Sequence, residues 1–220
     1  MLLNNRKGLD ALLAEYGSSV RALPDIAGLY RGKSLVICAD GACVWDDLES
    51  FGCRSDTGRG AVARNGWDFL VINKLGETFP GAIEHWYSNS TRALGRYMQA
   101  RRDEYAKEFP QPMHSHSCEL GASWHWPWPA QGTSGLGGVL TGIGLGYDRI
   151  VLCGMPLDNG HHNGEPGWRG TRFESSEVPS EKDGGPERHW RLAIGKVLKG
   201  RVRSMSGRTR EWLGDALEWR

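Results

Sequence analysis

Short runs of consecutive apolar residues alternate along this chain with longer stretches in which apolar residues recur every three or four positions. A run of five or six such residues between turn formers reads as a strand buried on both faces, and the longer period as an amphipathic helix. Ser34 to Ala39 (SLVICA), Asp68 to Asn73 (DFLVIN) and Arg149 to Cys153 (RIVLC) are runs of the first kind. Ala82 to Ser88, Met113 to Ser117 and Arg201 to Ser204 are weaker strand candidates. Helices are predicted over 1–23, where Leu9, Leu12, Leu13 and Tyr16 share a face, and over 44–51, 91–109, 187–198 and 210–219. A further helix, rich in glycine, is opened by Thr133-Ser134-Gly135. Alternating strands and helices predict an α/β fold, Rossmann-like and doubly wound, with a mainly parallel sheet flanked by helices. Two stretches break the pattern. Trp124 to Pro129 (WHWPWP) is predicted as loop, because prolines at alternate positions exclude regular pairing. Residues 155–186 are polar and aperiodic, too long a connection for a compact domain unless they serve as a functional loop or lid.

A length of 220 residues suits a single domain with a full core, here one Rossmann-like domain over 1–220. The net charge of +1 supplies no field to attract nucleic acid or an anionic membrane. No apolar run reaches about eighteen residues and the start carries no signal-peptide pattern, so a soluble cytoplasmic protein is expected. Five cysteines without a CxxC pair indicate neither a disulfide framework nor a cysteine-based zinc site. The 31 glycines point to tight turns and close backbone approaches, because no repeat accounts for them. The ten tryptophans suit a ligand cleft or the interface of a homo-oligomer.

In an open parallel sheet, ligands sit outside the carboxyl ends of the strands, where the strand order reverses. Asp40 and Gly41 follow the first apolar run, and Asn73 and Lys74 follow the second. Thr133, Ser134 and Gly135 open the glycine-rich helix, and Asp158 to Asn163 follow the strand after it. The glycines and hydroxyls of these turns serve equally as turn formers and helix caps, or as the amide-lined seat of an anion. His161 and His162 invite a metal reading with Asp158 or Glu165, but without HxH or HxxxH spacing there, solvated loop histidines are preferred. His114 and His116 have alternate spacing and share a strand face. The WHWPWP run, Trp126 included, suits a stacking platform for a sugar or base, or an apolar plug over the sheet edge. Arg92, Arg96, Arg101 and Arg102 read as a solvated helix face, with acidic residues interleaved. His189, at the start of a helix, suits a general base because imidazole is near half-protonated at neutral pH.

The order TSG–helix–LGYDRIVLCGMPLD resembles the bacterial family of sialyltransferases typified by the lipooligosaccharide enzymes of Campylobacter, together with proteins of the same core, many from bacteriophages. The similarity is clearest over 131–158 and weaker over 33–88 and 186–214. It implies a Rossmann-like fold and a glycosyltransferase that moves a sugar from a nucleotide-sugar donor, with no metal and no separate cofactor. Carried over, Thr133, Ser134 and Gly135 are the turn that holds the donor nucleotide, and Asn73 contacts the same ligand. His189 is the base that takes the proton of the acceptor hydroxyl. Asp40 and Gly41 stand where the family has a neutral Gly-Asn-Gly-Pro-Ser turn, and His161, His162 and Trp168 stand where it has paired tyrosines. Asp158, His161, His162 and Trp126 are then candidates for sugar or acceptor contact. Two other readings stay open: a nucleotide-binding accessory or host-interaction protein without turnover, and a metal-assisted hydrolase or phosphotransferase using Asp40, Asp158, His161 and His162.

Overall fold

The computed structural model describes residues 23–53, 64–89, 91–105, 113–115, 122–128, 133–157 and 185–219. The helix expected over 1–23, Leu23 apart, and residues 158–184 of the polar stretch expected over 155–186, with Asp158, His161, His162 and Trp168, lie outside the described residues, as does His116. The strands are β1 Ser34–Cys38, β2 Trp67–Ile72, β3 His85–Tyr87, β4 Met113–Ser115, β5 Trp124–His125, β6 Arg149–Cys153 and β7 Val202–Ser204. All pair in parallel in one sheet of order β5-β4-β3-β2-β1-β6-β7. The helices are α1 Val44–Phe51, α2 Leu75–Thr78, α3 Thr91–Tyr105, α4 Ser134–Leu145, α5 Gly185–Ala193 and α6 Gly207–Leu213. A π-turn, Ile194–Leu198, continues α5, and a 3-10 turn, Ala216–Trp219, follows α6.

Alternation along the strands divides the interior into two cores. Leu35, Ile37, Leu70, Ile72, Ile150 and Leu152 pack with Leu136, Val139, Leu140 and Ile143 of α4 and Trp190 of α5. Val36, Cys38, Phe69, Val71, Val151 and Cys153 pack on the other side with Val44, Leu48 and Phe51 of α1. Both faces are covered, which is why the central strands read as unbroken apolar runs. The fold is α/β, Rossmann-like and doubly wound, as the pattern predicted.

Glycine in α4 makes room for aromatic neighbours. A Cβ on Gly137 would lie 2.1 Å from Tyr87 Oη, and one on Gly144 would lie 2.5 Å from the Trp126 ring. The helix can approach the sheet only because these side chains are missing.

Three expectations are corrected. Trp124 and His125 form an edge strand on β4, because the prolines come after the paired residues and Trp126 N still donates to Ser115 O at 2.8 Å. Trp126 is fully buried and stacked on Trp128, with ring centroids 5.5 Å apart, so these two rings fill the core and neither is open to stack on a sugar or base. Arg101 is not part of a solvated face. It is buried and donates to the carbonyls of Gly76 (2.9 Å), Phe79 (2.6 Å) and Gly81 (3.0 Å). His114, on β4, is fully buried.

Candidate functional site

From β1 the chain steps outward strand by strand to β5, then returns through α4 to place β6 on the far side of β1. The order therefore reverses between β1 and β6, and the loops leaving their carboxyl ends frame the expected crevice. Those two loops are tied together at the backbone. Ala39 N donates to Cys153 O at 3.0 Å, and Gly41 N donates to Gly154 O at 3.0 Å. Gly154 has φ +68°, and a Cβ there would lie 2.2 Å from Ala39 O, so only glycine makes this turn. Its amide donates at 2.8 Å to Asp47, on α1, which also accepts from Ser206 Oγ at 2.9 Å. Asp47 is buried, and desolvation pushes its carboxyl above the usual range despite these bonds. Gly41 is thus committed to pairing, and the open part of the edge lies toward β2, β3 and the start of α4.

Thr133 is the N-cap of α4. Its Oγ1 accepts from Leu136 N at 3.2 Å and from Trp190 Nε1 at 3.2 Å, and its carbonyl accepts from Gly137 N at 3.1 Å. The hydroxyl therefore couples the helix start to α5 as well as capping it. Among the described residues, no group accepts from the amides of Ser134 or Gly135. A twelve-residue helix ends here with its positive dipole end at the carboxyl edge of the sheet.

Asn73 leaves β2 with φ +52°, a left-handed conformation that asparagine adopts more readily than most residues. Its backbone is fully used: N donates to Tyr87 O at 3.0 Å, and O accepts from Trp86 Nε1 at 2.9 Å. Its side-chain amide is half-buried, and no described residue hydrogen-bonds it. Next to it, Tyr87 Oη donates to Asn89 Oδ1 at 2.9 Å, beneath Gly137 of α4. Asn73, Tyr87, Asn89 and the opening of α4 thus form one neighbourhood. Asp40, half-buried at the end of β1, lies within electrostatic reach of Tyr97 on α3, whose phenol is pushed up chiefly by burial and then by Glu77 and Asp40.

His189 lies on α5 beside Trp190, the residue that bonds Thr133. It is buried, and desolvation, helped by Arg188, lowers its pKa below the ordinary histidine value. That direction favours the neutral ring, the form a general base needs. Of the residues named from sequence, Asp40, Gly41, Asn73, Thr133, Ser134, Gly135 and His189 belong to loops and helix starts at the carboxyl edge. Trp126 does not: it is buried in the core against Gly144 of α4. Asp47, Tyr87 and Asn89 had no sequence signal: the Asp47 partners Gly154 and Ser206 are far along the chain, and the Tyr87–Asn89 bond depends on how the chain leaves β3. Among the described residues, no group of three His, Cys, Asp or Glu is placed to hold a metal ion.

Comparison with protein-family models, with curated proteins and with solved structures finds no match to this chain. The class is defined by the fold and by the edge at which these groups gather: an all-parallel, doubly wound α/β protein with a candidate anion seat at a helix start. No described helix is long and apolar enough to cross a membrane.

Proposed function

We propose that this chain is a metal-independent, glycosyltransferase-like enzyme that takes a nucleotide-sugar donor at the carboxyl edge of its sheet. The observation that carries the reading is the start of α4, where the Ser134 and Gly135 amides, like the nearby Asn73 side-chain amide, have no hydrogen-bond partner among the described residues. Two backbone N–H groups at a helix start suit a phosphate, and an asparagine amide suits the nucleoside attached to it. Asp40, a carboxylate, is repelled by phosphate and suits ribose hydroxyls instead. His189 accepts the proton of the acceptor hydroxyl as that oxygen bonds to the anomeric carbon. The bond from that carbon to the donor phosphate breaks, and its electron pair leaves with the nucleotide. Asp158, His161 and His162 contribute contacts to the sugar or acceptor. The protein acts in the cytoplasm, as a monomer or a homo-oligomer.

Thermal shift against cytidine, uridine, guanosine and adenosine nucleotides and their sugar conjugates tests the donor site. At about 100 times the dissociation constant, binding stabilises by about 2.7 kcal/mol. Stabilisation by one nucleotide-sugar without divalent metal is expected, and a strict metal requirement overturns the reading. His189→Ala should abolish transfer while the donor shift survives. Because burial lowers the His189 pKa, kcat/KM should fall on acidification with a midpoint below the ordinary histidine value of about 6.5. Unchanged turnover in the variant removes His189 from its role.

A second reading, a nucleotide-binding accessory protein without turnover, is favoured by the Gly41–Gly154 pairing, which closes the crevice between β1 and β6. Donor binding with no donor consumed under any acceptor mixture selects it.

A further inference from the structure

Six polar side chains form a continuous string that runs from buried Trp126 at the β4–β5 edge out to Lys33 at the surface. Trp126 Nε1 donates to His114 Nδ1 at 3.0 Å. His114 Nε2 lies 3.0 Å from His85 Nδ1, and His85 Nε2 lies 3.0 Å from Tyr147 Oη. Tyr147 Oη donates to Asp68 Oδ2 at 2.7 Å, and that oxygen meets the Lys33 ammonium at 3.3 Å. Both imidazoles are fully buried, so neither can turn to water.

The direction of every bond follows from Trp126. Indole N–H only donates, so His114 Nδ1 must be bare and its proton must sit on Nε2. That proton points at His85 Nδ1, which must also be bare, so His85 carries its proton on Nε2 and gives it to Tyr147. The tyrosine hydroxyl then donates to the Asp68 carboxylate. Two ring protons on two histidines fill every contact, and both rings are neutral. A third proton has no place: wherever it enters between Trp126 and Tyr147, one N–H is driven against another N–H. An unmade buried contact of that kind carries the full desolvation cost of its groups.

We propose that this string is an acid-release latch: with both histidines neutral it bolts the β4–β5 edge and Trp126 to β3 and to the α4–β6 turn, and proton uptake by the pair frees that edge. The string crosses from β4 and β5, through β3, to Tyr147 in the turn before β6 and Asp68 on β2. The edge it secures is short, with only His114↔Trp124 and Ser115↔His125 in register between β4 and β5. Trp126 also stacks on Trp128, whose Nε1 donates to Thr141 of α4 at 3.0 Å. The latch therefore reaches the helix that opens the candidate site.

The titratable and charged groups around the pair are Tyr30, Lys33, Asp68, Glu84 and Tyr147. His125 adjoins Trp126 on β5. Tyr30 packs edge-on to His85 at 4.8 Å and stacks on Tyr147 at 5.0 Å. Desolvation lowers the pKa of His85 to about 4, with Asp68 opposing and Lys33 adding to the shift. Desolvation and then the neighbouring His85 push that of His114 well below the ordinary histidine value. Burial and then the bond to Asp68 push the Tyr147 phenol up.

The test uses the intact protein. Nitrogen-detected imidazole spectra at pH 7.5 should show two buried histidines, both with the proton on Nε2. Hydrogen exchange followed from pH 7.5 to 4.5 should show protection factors of peptides covering Met113–Ser115 and Trp124–Trp128 falling about tenfold per pH unit for each histidine that charges on opening. Peptides of β1 and β6 should hold their protection over the same range. Trp126→Phe removes the directing N–H, so the midpoint for proton uptake by His114 should rise by about one pH unit or more. An Nδ1–H tautomer in either ring, equal loss of protection across the sheet, or an unshifted midpoint in Trp126→Phe overturns the latch. If that variant does not fold, the spectra and exchange of the unaltered protein decide alone.

Discussion

Glycine at position 137 and glycine at position 95 occupy helix interiors, yet opposite consequences follow from adding one methyl group. At Gly95, on the exposed side of α3, a Cβ meets nothing within 4 Å. Gly95→Ala should therefore stabilise by about 0.5–1 kcal/mol, through the reduced entropy of the unfolded chain. At Gly137 the same Cβ enters the Tyr87 phenol, which is buried and held by Asn89. Gly137→Ala should lose about 1–3 kcal/mol through overpacking, more than its helix-propensity gain. Urea midpoints of the two variants check the pair, and equal shifts would show that Tyr87 can yield. The glycine-rich helix was legible as a sign of close backbone approach, but the sequence did not name what approaches. Tyr87 lies 50 residues earlier, on a three-residue strand whose exit angle comes from the tertiary fold. Asn73 was legible as the residue after a predicted strand, at the carboxyl edge, whereas its left-handed conformation was not.

At the scale of elements, α3 is joined to the loop beyond β2 by one guanidinium. Arg101 spans the carbonyls of Gly76, Phe79 and Gly81, fixing the segment that begins just after Asn73. A planar fork reaches three acceptors at once, and an ammonium on the same stem cannot reproduce that geometry. Arg101→Lys should lose about 2 kcal/mol or more, with amide exchange rising first in α2 and residues 79–81. A donor bound at Asn73 should weaken in parallel. Exchange unchanged in that loop would reduce Arg101 to an ordinary helix cation. The sequence hid this role because Arg101 sits among Arg96, Arg102 and Asp103 in a polar helix, and burial of one arginine leaves no mark on composition. The edge strand β5 was hidden for a related reason. Prolines at alternate positions forbid a long strand but leave the two residues before them free to pair.

Across the whole molecule, buried ionisable groups set opposing responses to pH, and their signs can be worked out. His85 and His114 have folded pKa values below the unfolded value of about 6.5, His85 at about 4. Between those limits the unfolded chain binds more protons, so the stability that the pair contributes is complete above about pH 6.5 and is lost as pH falls toward 4. His189, lowered as well, acts in the same direction. Asp47 and Glu84, raised by burial, act oppositely: their contribution is present at low pH and lost as pH rises through their folded values. The carboxylates begin from unfolded values near 4, so between pH 6.5 and 5.5 the histidines dominate. The two buried rings set a ceiling of about 2.7 kcal/mol per pH unit, and the carboxylates subtract from it at the acid end. Urea unfolding at pH 7.5, 6.5, 5.5 and 4.5 should show a plateau, then a loss of at least about 1 kcal/mol between pH 6.5 and 5.5. Replacing His85 and His114 together by Gln removes both rings of the pair, so the double variant should be less stable at pH 7.5 yet lose much less over that interval, with only His189 left to act in that direction. A flat profile in the unaltered protein would mean that the pair is already charged or already open at neutral pH, contrary to a string in which every donor meets an acceptor.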